Sequence, residues 1–371
     1  MMIYLDNAAT GGFKPASVQN AVSASLKLCA NPGRSGHRRS VALAQRVYAC
    51  RTLLCDLFQG YHPERVVFTK SCTEGLNLAI LGVLNKGDHA VVTALEHNSV
   101  LRPLEHLARQ GKITYSVAPL NGGTVEPEAI AALVTEKTRL VAVTSASNVT
   151  GACPDLKAIR ALLPDRVLFL VDGAQGGGHI PIRMRDTGID MLSLAGHKGL
   201  NAMQGAGVFL FSERVNPRPL QMGGTGSESM NLGMPAFYPD RLESGTLSYP
   251  AVASLFEGAL VVKSNLDSHA QKLFKITGAV CEELAKMPAF TLYSKPNPCG
   301  IVSFAHMSMP SEEVATALSE RFDIAVRGGL HCAPLVHRAL GTCPDGLVRA
   351  SFSPYQPTRD AALLIRALHR L

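Results

Sequence analysis

Three short runs of this chain carry almost no polar side chain: Leu140-Val141-Ala142-Val143-Thr144, Val167-Leu168-Phe169-Leu170-Val171 and Gly207-Val208-Phe209-Leu210-Phe211. Five residues are short for a helix, and a strand with one face in water alternates apolar with polar positions. Such runs fit strands covered on both faces, which calls for helices on each side of a sheet. The intervening sequence supplies them. Residues 65–69 and 89–93 read as further strands, and 74–84 and 99–109 as helices. Strand and helix in alternation predict βαβ units, a mainly parallel sheet and the α/β class.

That rhythm runs from about residue 40 to 212 and breaks at Gly223-Gly224-Thr225-Gly226. A long helical pattern then extends from 251 towards 287. Shorter elements follow: a strand at 300–304, a helix at 311–321, a strand at 347–352 and a closing helix from 358. We expect residues 14–250 to form a large domain around a mainly parallel, seven-stranded type of sheet. Residues 251–371 are expected to form a smaller α+β domain, with residues 1–13 packing nearby. A length of 371 residues suits two domains, and 46% hydrophobic against 18% charged residues suits a large core.

The formal charge of +7 raises the question of nucleic acid, but Lys and Arg are scattered. The densest knot, Arg34, Arg38 and Arg39, has no aromatic residues interleaved. An anionic small molecule or an acidic protein suits this charge, as does a solvated basic surface without a partner. No nucleic-acid or membrane partner is expected. The first residues show no leader pattern, and no stretch reaches the ~20 apolar residues of a membrane helix. Nine cysteines at irregular spacing form no CxxC pair, so reduced thiols in the cytoplasm are expected, and no metal. Cys29, Cys50, Cys55, Cys72, Cys153, Cys281, Cys299 and Cys343 are expected to pack as small hydrophobes.

Ligands of open α/β sheets bind beyond the carboxyl ends of the strands, and four polar clusters lie at such places. Lys70-Ser71-Cys72-Thr73-Glu74-Gly75 opens a helix, and its N–H groups and the Thr73 hydroxyl suit a phosphate; the plainer reading is an N-cap made by Thr73. In Glu96-His97-Asn98, His97 is either a catalyst or a satisfied polar residue. In Asp172-Gly173-Ala174-Gln175, Asp172 either caps the next helix or partners a cationic group. In Ala195-Gly196-His197-Lys198-Gly199, a desolvated Lys198 loses its proton readily and becomes nucleophilic. One cofactor employs all four clusters. Pyridoxal 5′-phosphate (PLP) needs a lysine for a Schiff base, an acid for its ring nitrogen and a phosphate cradle.

Five motifs then occur in a telling order: Ser147-Asn148-Val149-Thr150-Gly151, Asp172-Gly173-Ala174-Gln175, Gly196-His197-Lys198, Arg241-Leu242-Glu243-Ser244-Gly245-Thr246 and Arg327-Gly328-Gly329-Leu330-His331-Cys332-Ala333. With Tyr4-Leu5-Asp6-Asn7-Ala8-Ala9 before them and Arg349-Ala350-Ser351 after, the chain resembles the cysteine desulfurases. These belong to the class V aminotransferase group of fold-type I PLP-dependent enzymes. The segment 327–333 resembles the subgroup that holds the Suf-type enzymes and selenocysteine lyases. The resemblance implies that Lys198 carries PLP and later moves the Cα proton, that Asp172 keeps the ring nitrogen protonated, and that Gln175 bonds the ring hydroxyl. It implies that His97 stacks on the ring. Thr73, the helix start at Cys72, and His197 would hold the phosphate, joined in a homodimer by Thr246 of the partner subunit. Asn148 would lie near ring and substrate, and Arg349 would grip the substrate carboxylate with two prongs, Arg327 being the next candidate.

One departure stands out. The family commonly has Ser where this chain has Ala195, so the phosphate is expected to lack one hydroxyl, and Ser193 lies too far back to replace it. Cys332 separates the possible functions. As a desulfurase nucleophile it would take sulfur from L-cysteine as a persulfide, release alanine and pass the sulfur to an acceptor protein. Such a thiol needs access and nearby positive charge, for which Arg327 and His331 are the local candidates. A selenocysteine lyase would use selenocysteine, a true aminotransferase has no need of Cys332, and a silent sulfur-trafficking scaffold would need none of this chemistry.

Overall fold

The computed structural model describes residues 2–28 and 30–371; Cys29, expected as a packing thiol, lies outside them. A two-residue strand, β1 (Ile3–Tyr4), precedes the main sheet. That sheet holds β2 (Val66–Thr69), β3 (His89–Thr93), β4 (Thr114–Ala118), β5 (Thr138–Thr144), β6 (Leu168–Asp172), β7 (Met191–Ala195) and β8 (Gly207–Phe211). Their order is β2-β8-β7-β6-β5-β3-β4. Neighbours from β7 through β4 run parallel, and only β8 runs against the strands beside it. The mainly parallel seven-stranded sheet of the α/β class is therefore present.

The apolar runs behave as their composition requires. In β6 and β8 every residue is buried, and alternate side chains enter two different cores. Val141, Val143, Phe169 and Val171 face one side with Leu43, Val47 and Leu54 of the helix Arg38–Leu57. Leu140, Ala142, Leu168 and Leu170 face the other with Leu76 and Ile80 of the helix Cys72–Val83. The strand β4 carries no such run. It forms the sheet edge beside β3 and is half exposed, so its sequence, Thr114-Tyr115-Ser116-Val117-Ala118, is mixed.

A second sheet holds β9 (Phe290–Leu292), β10 (Ile301–His306) and β12 (Val348–Ser351), antiparallel in the order β12-β10-β9. The strand β11 (Ile324–Ala325) pairs with β1 in parallel. One helix of 37 residues, Tyr249–Ala285, connects the two sheets. Val252, Leu255 and Ala259 of its first half enter the core beneath the main sheet, while Leu273, Ile276 and Val280 of its second half enter the core of the smaller one. Among the described residues no helix is long and apolar enough to cross a membrane.

The long helix also touches the segment that follows β7. A Cβ at Gly258 would stand 1.9 Å from the Leu200 carbonyl oxygen, a distance only hydrogen can occupy. At Gly278, on the same helix, the nearest atom would be 3.9 Å away. Gly258→Ala should therefore destabilise the protein by about 1–3 kcal/mol through overpacking, whereas Gly278→Ala should leave stability unchanged or raise it by up to about 1 kcal/mol through helix propensity. Denaturant unfolding of both variants checks this; a loss at Gly278 with none at Gly258 would contradict the packing described.

Candidate active site

The strands β6 and β7 are adjacent and parallel, with Asp172 paired in register to Ser193. Their carboxyl ends therefore deliver Asp172 and the turn bearing Lys198 to one place. Burial lowers the Lys198 amine's pKa; Asp172 and Cys72 pull the other way, and Arg349 and Arg327 add repulsion. Among the described residues the amine has no hydrogen bond or ion pair. Its backbone, by contrast, is tightly held. The His197 carbonyl accepts from Gly11 N at 3.0 Å and from Lys14 Nζ at 2.8 Å, and the Lys198 carbonyl accepts from Asn201 N at 3.0 Å. A Cβ at Gly199 would lie 2.3 Å from the Gly177 carbonyl oxygen, so the turn needs glycine there.

Asp172 is buried, and its Oδ1 accepts from Ala174 N at 2.9 Å and from the Cys72 thiol at 3.4 Å. It thus caps its own turn, not a helix, since the next helix begins only at Met184, and its charge raises the Lys198 pKa against the effect of burial. The Cys72 side chain lies in the core, where burial pushes its thiol well up; its position at the start of a helix offers a ligand a backbone N–H instead. The N-cap of that helix is Ser71, whose Oγ accepts from Glu74 N at 3.2 Å. This corrects the reading of Thr73 as the cap. Thr73 is exposed, and its hydroxyl meets Ser99 Oγ at 2.8 Å. Ser193 Oγ donates to the Cys72 carbonyl at 2.9 Å and is fully buried, so it is committed away from the cleft.

Ser99 continues to His97. The ring's Nδ1 accepts from Ser99 N at 3.0 Å and lies 2.9 Å from Ser99 Oγ. Accepting at Nδ1 leaves the ring proton on Nε2. Burial lowers the pKa of His97, opposed by Asp172, and the repulsion of Lys198 and Arg327 adds to the lowering. His197 is similarly neutral, pushed down to about 4 by burial, with Nδ1 3.0 Å from Thr10 Oγ1. Gln175 is buried and donates to the Ala8 carbonyl at 3.0 Å. Thr246 stands apart: exposed, and without a hydrogen bond to any of these groups among the described residues.

The segment carrying Cys332 closes over this group. Both His331 and Cys332 have left-handed backbones, with φ of 49° and 58°, which costs about 1–2 kcal/mol per residue. Two bonds hold them so: Asn148 Nδ2 donates to the His331 carbonyl at 2.7 Å, and Asn98 N to the Cys332 carbonyl at 2.8 Å. The Cys332 backbone is thus fixed against Asn98, the neighbour of His97 in sequence, and its thiol is exposed. His331 does not charge it. Its ring is buried, donates from Nε2 to the Leu347 carbonyl, and is pushed down to about 2 by burial and by Arg349. Of the two expected sources of charge only Arg327 remains, its backbone paired with that of Arg349 at 3.2 and 2.8 Å. The packing expected of the other thiols holds for Cys50, Cys55, Cys72, Cys281 and Cys299, whereas Cys153 and Cys343 are exposed.

Arg349 is 1% exposed. Its Nη1 donates to the Asn148 carbonyl at 2.9 Å and its Nη2 to Asp6 Oδ1 at 2.8 Å, while the buried Nε has no partner. Asp6 lies in a motif the sequence made visible, but its role as counter-ion did not show there, because its partner is 343 residues away. Glu96 was equally unassigned. It is fully buried; its Oε1 accepts from Thr93 Oγ1 at 2.6 Å and Thr144 N at 2.9 Å, and Oε2 has no partner. Chemically, the site pairs a nucleophilic amine with a carboxylate able to hold a protonated ring nitrogen, a helix start for an anion, a buried guanidinium for a carboxylate and a free thiol.

Known proteins resemble this chain over nearly its whole length. The class-V aminotransferase profile matches residues 3–364. The chain is 31% identical over 387 residues to a probable cysteine desulfurase of Methanothermobacter thermautotrophicus, covering all of this chain and 94% of that protein. It is likewise 31% identical to cysteine desulfurase CsdA of Escherichia coli, covering 99% and 93%. The apo structure of a cysteine desulfurase from Thermococcus onnurineus superposes with a TM-score of 0.92 at 28% identity, covering 100% and 94%.

Burial raises the Glu96 carboxyl from 4.5 to about 8, with Thr93 opposing and Asp172 adding to the rise. The unfolded chain releases this proton near 4.5, and the folded chain keeps it to about 8. The group's contribution to stability is thus full below pH 4.5 and falls as pH rises to about 8, by at most about 1.4 kcal/mol per pH unit. Glu96→Gln should lose that dependence, so its stability relative to the parent should improve from pH 5 to pH 8. Parallel stability curves in denaturant titrations would contradict the assignment.

Proposed function

From the premise that this chain belongs to the class-V aminotransferase family, among its cysteine desulfurases, we propose that it converts L-cysteine to L-alanine and receives the sulfur on Cys332 as a persulfide. The observation that carries this reading is the mounting of an exposed thiol on a strained backbone tied both to Asn98, next to His97, and to Asn148, which also holds Arg349. Strain of this kind persists where the surroundings over-determine it, and it clusters at reactive sites.

The donor set fits pyridoxal 5′-phosphate. The unpartnered Lys198 amine with its lowered pKa suits attachment to the cofactor's aldehyde, and the buried Asp172 carboxylate suits its ring nitrogen. The N–H groups at Cys72 and Thr73, the Thr73 hydroxyl and the His197 ring suit its phosphate, Gln175 its ring hydroxyl and His97 its face. When bound, the cofactor supplies an electron sink next to the substrate's Cα. The chain's own residues do the rest. Arg349, with Asp6 fixing Nη2 and the Asn148 carbonyl fixing Nη1, presents Nε to the substrate carboxylate, and Arg327 adds charge nearby. Lys198 moves the proton at Cα. Cys332 Sγ forms a bond to the substrate sulfur as the carbon–sulfur bond breaks; the bonding pair stays on carbon, which takes a proton and leaves as alanine. The exposed thiol then hands its outer sulfur to an acceptor protein. Thr246, exposed and without a hydrogen bond to the other groups of its own protomer among the described residues, suits a homodimer in which it reaches the phosphate site of the second subunit.

Cys332→Ala leaves Lys198, Asp172 and the phosphate donors in place, so the variant should retain cofactor. Alanine and sulfide formation from L-cysteine should fall on the order of 100-fold or more, since the step needs the thiolate. Selenocysteine, with its weaker carbon–selenium bond, should lose less. Near-parental alanine release from L-cysteine by the variant would contradict the proposal.

A further inference from the structure

Outside the site just described, two further thiols lie together, one of them exposed and the other buried. Cys153 is exposed, Cys299 is buried, and their Sγ atoms are 4.0 Å apart. They belong to distant parts of the chain. Cys153 ends the loop that carries Asn148, and Cys299 precedes β10 of the smaller sheet. The contact around them is tight: a Cβ on Gly151 would stand 2.5 Å from Asn297 Nδ2, and Ser303 Oγ donates to the Val149 carbonyl. In β10, Ser303 is paired with Arg349. The two sulfurs thus sit on the seam between the Asn148 loop and the strand alongside Arg349.

We propose that Cys153 and Cys299 form a redox-modification site, in which a low-molecular-weight disulfide oxidises the pair to a disulfide that staples the Asn148 loop to β10. The Cys153 thiolate attacks one sulfur of the small disulfide, forms a mixed disulfide and releases one thiolate. Cys299 then attacks Cys153 Sγ and releases the second. Two protein thiols lose two electrons, the reagent becomes two thiols, and the two protons end on them. Closing from 4.0 Å to the ~2.05 Å of a bond asks for side-chain rotation at the exposed partner. Reactivity is divided in the same direction. The bond from Cys299 lowers the Cys153 pKa, which favours its thiolate, and raises that of Cys299 well above the usual thiol range. Other buried thiols are poor competitors: burial pushes Cys50 up to about 12 and Cys281 up to about 11.

The test uses the full-length protein with oxidised glutathione as the reagent, followed by alkylation, digestion and mass spectrometry without reduction. The expected product is one cross-linked peptide pair joining Cys153 to Cys299, lighter by two hydrogens and absent after dithiothreitol. Cys299→Ser should instead accumulate glutathione on Cys153, and Cys153→Ser should leave Cys299 unmodified. Closing so long a loop should raise the Tm of the oxidised parent protein by roughly 5 °C, reversibly. The proposal is overturned if Cys153 and Cys299 both remain alkylatable while Cys332 is glutathionylated, or if the cross-link joins a different pair. None of these readouts requires desulfurase activity, so the outcome stands apart from that reading.

Discussion

Two groups of opposite charge at the ends of neighbouring strands, Lys198 and Asp172, set the conditions that the rest of the architecture has to meet. Taking an ammonium or a carboxylate out of water costs several kcal/mol, and the fold answers in two ways. It lowers the affinity of Lys198 for its proton, and it satisfies Asp172 with the Ala174 N–H and the Cys72 thiol. A parallel pair of strands is what makes the juxtaposition possible, because both carboxyl ends point the same way. Glycines at 196 and 199 allow the lysine turn to pass against Ala206 and Gly177.

The N-terminal segment links this pair to Arg349. Within residues 6–14, Asp6 neutralises Arg349, Ala8 receives Gln175, Thr10 meets His197, and Gly11 and Lys14 bond the His197 carbonyl. Lys14 is partly buried where it makes this bond, which pushes its amine down to about 8. One stretch of turns and loop therefore sets both the guanidinium of β12 and the backbone next to Lys198. Arg349 and Lys198 are positioned by the same nine residues, although they belong to different sheets.

Strands of the sheet interior were legible because their composition is extreme: no polar residue survives at 168–171, and β3 and β8 have the bounds the sequence suggested. The edge strand β4 escaped notice because an edge asks for no such purity. In the site, residues that bring their own chemistry, such as Lys198, Asp172 and Cys332, could be read from motif and spacing. Asp6, Glu96 and Ser99 could not, since their significance comes from partners delivered by the fold. His331 shows the opposite limit. Next to Cys332 in sequence it looked like a source of positive charge, but a left-handed turn buries it against Arg349 and the Leu347 carbonyl, where it is neutral. Adjacency along the chain says little about a side chain's dielectric surroundings.

The reading proposed for this site stands or falls on Lys198 as the residue that holds the cofactor. Reduction of the purified, cofactor-loaded protein with borohydride, followed by digestion and mass spectrometry, addresses it directly. A single phosphopyridoxyl group is expected on the peptide containing Lys198, with no fixation of cofactor in Lys198→Ala. A phosphopyridoxyl group on any other lysine, or none in the parent protein, would contradict it.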